Sequence, residues 1–156
     1  MKSRVVCRSI CALAGAVLVW SGALALAAGC PPDTAPATAA PYVAYRSAGD
    51  LVFVSGQIGV DPSAPGPVPD FETQMRTALA RLDAVLAAAG SAPGEVLRAT
   101  VYLADPADMA TMNRLYRGFF EDRAAALPAR SLVPGLDFGN AIAVEIDVVA
   151  RRLPCN

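Results

Sequence analysis

The chain has 156 residues, of which 54% are hydrophobic and 17% charged, so it suits one folded domain and excludes a chain disordered throughout. Its only lysine is Lys2 and it has no histidine, which excludes a Ser-His-Asp site and a Schiff-base lysine in the body of the chain. All 14 acidic residues follow Cys30, whereas three of the 13 basic residues precede it. This acidic body argues against nucleic acid as a partner.

The first 29 residues match the pattern of a secretory signal peptide. A basic start over residues 1–8 precedes an apolar run over residues 10–28, and small residues are crowded at its end. Because such a run is long enough to cross a bilayer, a retained membrane anchor is the alternative. We predict a signal peptide at residues 1–29 and therefore an exported, periplasmic protein.

Cys30 has two competing interpretations. Residues 26–30 resemble a bacterial lipobox, with Ala27 where leucine is usual, and this pattern favours a lipid on Cys30 as the protein's only link to a membrane. The alternative is a disulfide between Cys30 and Cys155, because an exported domain meets an oxidising environment and domain ends are often close in space. The lipoprotein is the first prediction and the disulfide the second.

The rest of the chain divides by composition. Residues 30–40 are rich in proline, alanine and threonine and contain no large apolar residue, so they are predicted to form an extended, exposed linker. Residues 41–152 carry the periodic patterns of a folded domain, and residues 153–156 are left as a C-terminal tail.

The domain begins with two short strands at residues 42–46 and 51–55, separated by turn-forming residues. A proline-rich loop at residues 60–69 leads to a helix that begins after Asp70, its predicted N-cap, and stops at Gly90. The helix is predicted to bury residues that recur at helical spacing: Phe71, Met75, Ala78, Leu79, Leu82, Val85, Leu86 and Ala89.

A third strand follows at residues 97–103, and Asp105 with Pro106 begins the second helix. Residues 128–133 lead into a fourth strand, and residues 140–150 alternate as a long fifth strand. The buried side of the second helix is predicted to consist of Met109, Met112, Tyr116, Phe119 and Phe120.

The element order β-β-α-β-α-β-β predicts an α/β two-layer sandwich, with two helices on one face of a mixed sheet. On the last strand, alternation assigns Glu145 and Asp147, together with Ala143 and Val149, to the face away from the helices. Because this face is half apolar, we predict that it packs against another subunit.

Short motifs occur along residues 41–152 in a characteristic order. They are Pro41-Tyr42, Ser55-Gly56-Gln57, Met112-Asn113 with Tyr116, Pro128-Ala129-Arg130-Ser131 and Val144-Glu145-Ile146-Asp147. In this order and spacing they resemble the Rid (reactive intermediate deaminase, YjgF-type) family. The resemblance implies a chorismate-mutase-like fold, a homotrimer, and ligand clefts between the subunits.

The resemblance also implies roles for single residues. Arg130 matches the arginine that holds the substrate carboxylate, for which a guanidinium fork is suited, and Glu145 matches the acid that positions a water. Further substrate-binding positions are matched by Tyr42, Ser55, Gly56 and Asn113. Three residues depart from the family pattern, in which glutamine, proline and cysteine are frequent: Ala44, Gly59 and Leu132.

The implied function is hydrolytic deamination of reactive 2-enamino or 2-imino acids to 2-oxo acids and ammonia. The imine carbon is already electrophilic, so the reaction requires no histidine, metal or cofactor. The alternative is a non-catalytic module that binds a small carboxylate in the same cleft between subunits. A third activity, RNA cleavage, is claimed for some family members, and the acidic body argues against it.

Overall fold

A computed structural model describes residues 30–38, 40–59, 70–139 and 142–155. The predicted signal peptide and the predicted loop at residues 60–69 lie outside these described residues. No helix in the described part of the chain is long and apolar enough to cross a membrane.

The strands and helices of the described chain follow the predicted order β-β-α-β-α-β-β, which is confirmed. A short 3-10 turn precedes the third strand and another precedes the second helix. The elements are β1 (Tyr45–Ala48), β2 (Leu51–Ile58), α1 (Phe71–Ala88), β3 (Val96–Leu103), α2 (Met109–Glu121), β4 (Ala129–Pro134) and β5 (Val144–Arg151).

The strands form a mixed sheet in the order β1-β2-β5-β3-β4. Neighbouring strands are antiparallel except β3 and β4, which are parallel. The apolar core lies between one face of the sheet and the two helices, with Leu82 and Leu86 fully buried on α1 and Ile146 fully buried on β5. Burial of each such side chain stabilises the fold by about 1.5–3 kcal/mol. The predicted two-layer sandwich is therefore confirmed.

Local signals determine the ends of α1 as predicted. The Asp70 side chain accepts a hydrogen bond from the Thr73 backbone N–H at 2.8 Å, and Gly90 ends the helix at a positive φ of 71°. One polar residue lies in the apolar stripe. Gln74 is 1% exposed, and its Oε1 accepts a hydrogen bond from the Ala143 N–H at 2.9 Å, which attaches α1 to the start of β5.

The predicted start of the second helix is wrong by one turn. Asp105 caps the 3-10 turn Pro106–Asp108, accepting from the Ala107 N–H at 2.8 Å, and α2 begins only at Met109. Met109 was predicted to be buried and is 38% exposed. Side chains lean toward the N-terminus of a helix, so that of the first residue extends beyond the packed face.

The first and last strands are also shifted. β1 begins at Tyr45 rather than residue 42, because Tyr45 pairs with Val54 and the regular course of β2 is interrupted between Val54 and Gln57. β5 begins at Val144 rather than residue 140, and residues 140–141 lie outside the described residues.

Residues 30–38, which we call the N-terminal segment, are mostly exposed, as composition predicts, but they also form hydrogen bonds with the domain. The Ala35 N–H donates to the Tyr45 carbonyl at 3.1 Å, and the Ser47 N–H donates to the Asp33 carbonyl at 2.6 Å. Ala35 is 6% exposed. The cause is that β1 is the edge strand, whose outward backbone groups need partners, and the N-terminal segment supplies them.

The two ends of the domain are joined beside this segment. The Arg152 guanidinium, 10% exposed, donates to Asp33 Oδ1 at 2.9 Å, to the Pro32 carbonyl at 3.0 Å and to Ser47 Oγ at 2.8 Å. Cys30 and Cys155 form a disulfide, with their Cα atoms 5.3 Å apart. This arrangement corresponds to the second interpretation of Cys30, and a sulfur atom held in a disulfide cannot also carry a thioether-linked lipid. A lipid on Cys30 stays a prediction.

Candidate functional site

Four of the predicted site residues line one cavity of about 760 Å³, which we call the Glu145 cavity: Tyr42, Ser55, Gly56 and Glu145. It lies where β2 extends beyond the short strand β1, so that residues 55–58 border open space. Thr38 and Ala40, from the region predicted to be a linker, also line it. Composition alone did not single them out, because threonine and alanine carry no chemical signal.

Gly56 provides the space in which the Glu145 carboxylate lies. The pairing of β2 with β5 is irregular between Val54 and Gln57, which brings Gly56 against β5. A Cβ atom on Gly56 would overlap the Glu145 carboxylate. A larger residue at this position would therefore displace the Glu145 carboxylate from its place beside the backbone.

The Glu145 carboxyl has an altered acidity. Partial burial raises its pKa, and the negative charge of Asp147 on the same strand face raises it further. A carboxyl with a raised pKa releases and accepts protons nearer to neutral pH, which suits general acid and base catalysis.

Ser55 organises the wall of the cavity. Its hydroxyl donates to the Val43 carbonyl at 2.7 Å and its N–H donates to the Ala44 carbonyl at 3.0 Å, so it holds the segment that carries Tyr42. Tyr42 is 63% exposed. The Ser55 hydroxyl proton is thus engaged by the backbone, so this oxygen could contact a ligand only as a hydrogen-bond acceptor.

The other two predicted site residues, Asn113 and Arg130, lie in a second cavity of about 460 Å³, which we call the Arg130 cavity. Arg130 Nη2 donates to Asn113 Oδ1 at 2.8 Å. Asn113, predicted to contact substrate, therefore contacts the arginine in this structure.

Arg130 and Glu145 do not meet within one chain. Arg130 on β4 is paired with Ala99, which is fully buried against the helices. Glu145 on β5 is paired with Tyr102, on the opposite face of the sheet. Residues directly paired across strands point to the same face, so the two side chains project from opposite faces.

The three departures from the family pattern have different surroundings. Ala44 lines the Glu145 cavity, so the small residue enlarges that cavity. Leu132 packs against the core. A Cβ on Gly59 would overlap Gln74 of α1, which shows that the helix lies directly on the backbone of this glycine.

Metal-binding side chains are not clustered in the described residues, which contain no group of three or more His, Cys, Asp or Glu suited to an ion. The polar groups gathered in the two cavities can bind an anion through Arg130 and exchange a proton through Glu145.

Comparisons with known proteins agree with this architecture. A family model described as Endoribonuclease L-PSP matches residues 32–152. A 2-iminobutanoate/2-iminopropanoate deaminase from Salmonella typhimurium is 37% identical over 120 residues, which cover 77% of this chain and 94% of that protein. The protein of the same name from Escherichia coli is 37% identical over 121 residues, with 77% and 94% covered.

Solved structures have the same fold. The YjgF gene product from E. coli is 33% identical with a TM-score of 0.69, covering 80% of this chain and 98% of that one. E. coli TdcF with bound serine is 34% identical with a TM-score of 0.69, covering 78% and 96%. The family match begins at residue 32, inside the N-terminal segment that the structure joins to β1.

Proposed function

Because the chain belongs to the Rid (YjgF, endoribonuclease L-PSP) family, we propose that it hydrolyses 2-imino acids, which form from 2-enamino acids, to 2-oxo acids and ammonia. Relatives at 37% identity carry the name 2-iminobutanoate/2-iminopropanoate deaminase. The observation that carries the proposal is the Glu145 carboxyl, which has a raised pKa and lies in a cavity beside the backbone of Gly56.

The reaction needs only binding and proton transfer. Arg130 binds the carboxylate of the substrate. A water held by Glu145 adds to the carbon of the protonated imine: the O–C bond forms, the π electrons move to nitrogen, and the carboxylate accepts the water proton. The carbinolamine then takes this proton back on nitrogen as the C–N bond breaks. The hydroxyl proton leaves with ammonia as ammonium, and the C=O bond forms.

We propose that the site is completed between subunits of a homotrimer, because Arg130 and Glu145 project from opposite faces of one sheet. The face without helices carries Phe53, which is 46% exposed, and a second subunit would cover it. Light scattering on protein beginning at Cys30 should give three times the chain mass at micromolar concentration. A stable monomer would contradict a shared site.

The deaminase activity is tested with substrate that is generated in situ, in the assay mixture. An amino-acid oxidase generates 2-iminopropanoate from alanine, and the release of ammonia is followed with and without the purified protein. Acceleration that saturates with imine concentration supports the proposal. Binding of pyruvate without any acceleration would instead favour the non-catalytic carboxylate-binding module.

Replacing Glu145 with glutamine separates binding from catalysis. The amide holds a water but cannot accept its proton, so we expect pyruvate binding to persist and turnover to fall by about 10²-fold or more. Equal turnover in Glu145→Gln and the parent would remove Glu145 from the mechanism.

Asp147→Asn is the matched variant for pH dependence. Removing the neighbouring negative charge favours the ionised form of Glu145 and lowers its pKa. The carboxylate would then persist to lower pH, so the acid limb of the rate profile should move to lower pH. A limb that stays in place would show that another group limits the rate.

We further propose that the protein is exported and folds with Cys30 joined to Cys155. The support is the signal pattern at residues 1–29 together with the contacts that hold both chain ends. Intact-mass analysis of protein from the bacterial periplasm should give a mass two hydrogens below that of the reduced chain. A mass increased by acyl groups on Cys30 would restore the lipoprotein interpretation.

A further inference from the structure

The Arg130 guanidinium rests on one face of α2. Nη2 donates to Asn113 Oδ1 at 2.8 Å, and Nη1 lies 3.3 Å from Met112 Sδ. The guanidinium carbon is 4.9 Å from the centroid of the Tyr116 ring, within the range of a cation–π contact. Asn113 and Tyr116 are three residues apart, so helical geometry places both on the side that meets β4.

All three groups in contact with the Arg130 guanidinium are neutral. Arg76 and Arg114 both pair with Glu72, whereas Arg130 forms no ion pair with a carboxylate of the described residues. An amide oxygen and an aromatic ring orient a guanidinium without cancelling its charge. The full positive charge therefore remains for an anionic ligand.

Tyr116 is held firmly enough to serve as such a support. It is 4% exposed, and its ring centroid lies 5.0 Å from that of Phe120. Burial raises the pKa of its hydroxyl to about 12, so the side chain stays neutral. This hydroxyl has no hydrogen-bond partner in the described part of the chain, which leaves the ring face as the group in contact with Arg130.

We propose that Asn113 and Tyr116 are positioning residues. They orient the Arg130 guanidinium toward the carboxylate of a ligand and leave the positive charge of the guanidinium uncompensated. This inference rests on the proposed function, since it concerns the same anion site. Asn113 then acts through Arg130. The side chain of Asn113 must be neutral, because a carboxylate at this position would compete with the ligand for Arg130. Tyr116 acts through the face of its ring.

The test measures pyruvate affinity of the full protein by calorimetry, with thermal unfolding measured in parallel. Asn113→Asp retains an acceptor of the same size but adds a competing carboxylate, so affinity should fall by roughly 10- to 150-fold without loss of fold. The loss of pyruvate affinity should be smaller in Asn113→Ala, because the positive charge of Arg130 stays available to the ligand. An Asn113→Asp variant that binds like the parent overturns the proposal.

Tyr116 is tested with a conservative and a drastic variant. Tyr116→Phe keeps the ring, and its affinity for pyruvate should be within about twofold of that of the parent. The affinity of Tyr116→Leu should fall by about tenfold. Equal losses in both variants would assign the effect to the hydroxyl and overturn the role of the ring.

A measurement without ligand separates this inference from the proposed function. Rotation of the Arg130 guanidinium, followed by NMR with nitrogen-labelled arginine, should be slow in the parent and faster in Asn113→Ala and Tyr116→Leu. If the parent binds no 2-oxo acid, the proposed function fails, and the rotation rates still decide whether these residues position Arg130. Equal rates in all variants would refute positioning.

Discussion

Protein in which Cys30 and Cys155 are both replaced by serine is expected to lose about 5 kcal/mol of unfolding free energy. The disulfide spans 125 residues, and closing so long a loop removes much of the entropy of the unfolded chain. The midpoint of thermal unfolding should therefore be roughly 10–20 °C lower than that of the parent. The Glu145 cavity is affected as well, because Thr38, at the end of the N-terminal segment that the disulfide anchors, lines it.

Reduction provides the control for this prediction. The parent in reducing agent should unfold at the temperature of the double serine variant, and the variant itself should not respond to the reductant. If the reduced parent and the double serine variant both unfold at the temperature of the oxidised parent, the disulfide adds no stability. Arg152 and the pairing of the N-terminal segment with β1 would then hold the two chain ends by themselves.

Arg130→Ala is expected to weaken binding of 2-oxo acids by roughly 10- to 150-fold, because a charge-assisted bidentate contact contributes about 1.5–3 kcal/mol. Arg130→Lys should recover little of this loss, since an ammonium cannot make two parallel hydrogen bonds to one carboxylate. Calorimetric titration with pyruvate measures both effects, and light scattering confirms that the assembly is unchanged.

Arg76→Ala is the matched control for the loss of one positive charge. Arg76 lies on the exposed side of α1 in an ion pair with Glu72 at 2.7 Å, outside the Glu145 and Arg130 cavities. Its removal should leave pyruvate affinity within about twofold, because exposed ion pairs contribute little. If Arg130→Ala binds pyruvate like Arg76→Ala does, Arg130 is not the anion anchor.

The helix α1 could be predicted almost completely from the sequence. Asp70, the apolar stripe and Gly90 act over a few residues, so the beginning, the buried side and the end of the helix are all local properties. The alternation of β5 likewise indicated that Glu145 lies away from the helices. The candidate site residues could be predicted because short motifs match those of the family in residue type and order.

Contacts between distant parts of the chain decided the rest. The face on which Arg130 lies depends on its register with Ala99 on β3, and its separation from Glu145 follows from that pairing. The composition of residues 30–40 predicts exposure, and most of residues 30–38 are exposed, but composition does not predict that Asp33 and Ala35 hydrogen-bond to the edge strand β1, whose backbone groups require partners. The disulfide depends on Cys30 and Cys155, 125 residues apart in sequence, lying close together in the folded domain, and no local pattern encodes that distance.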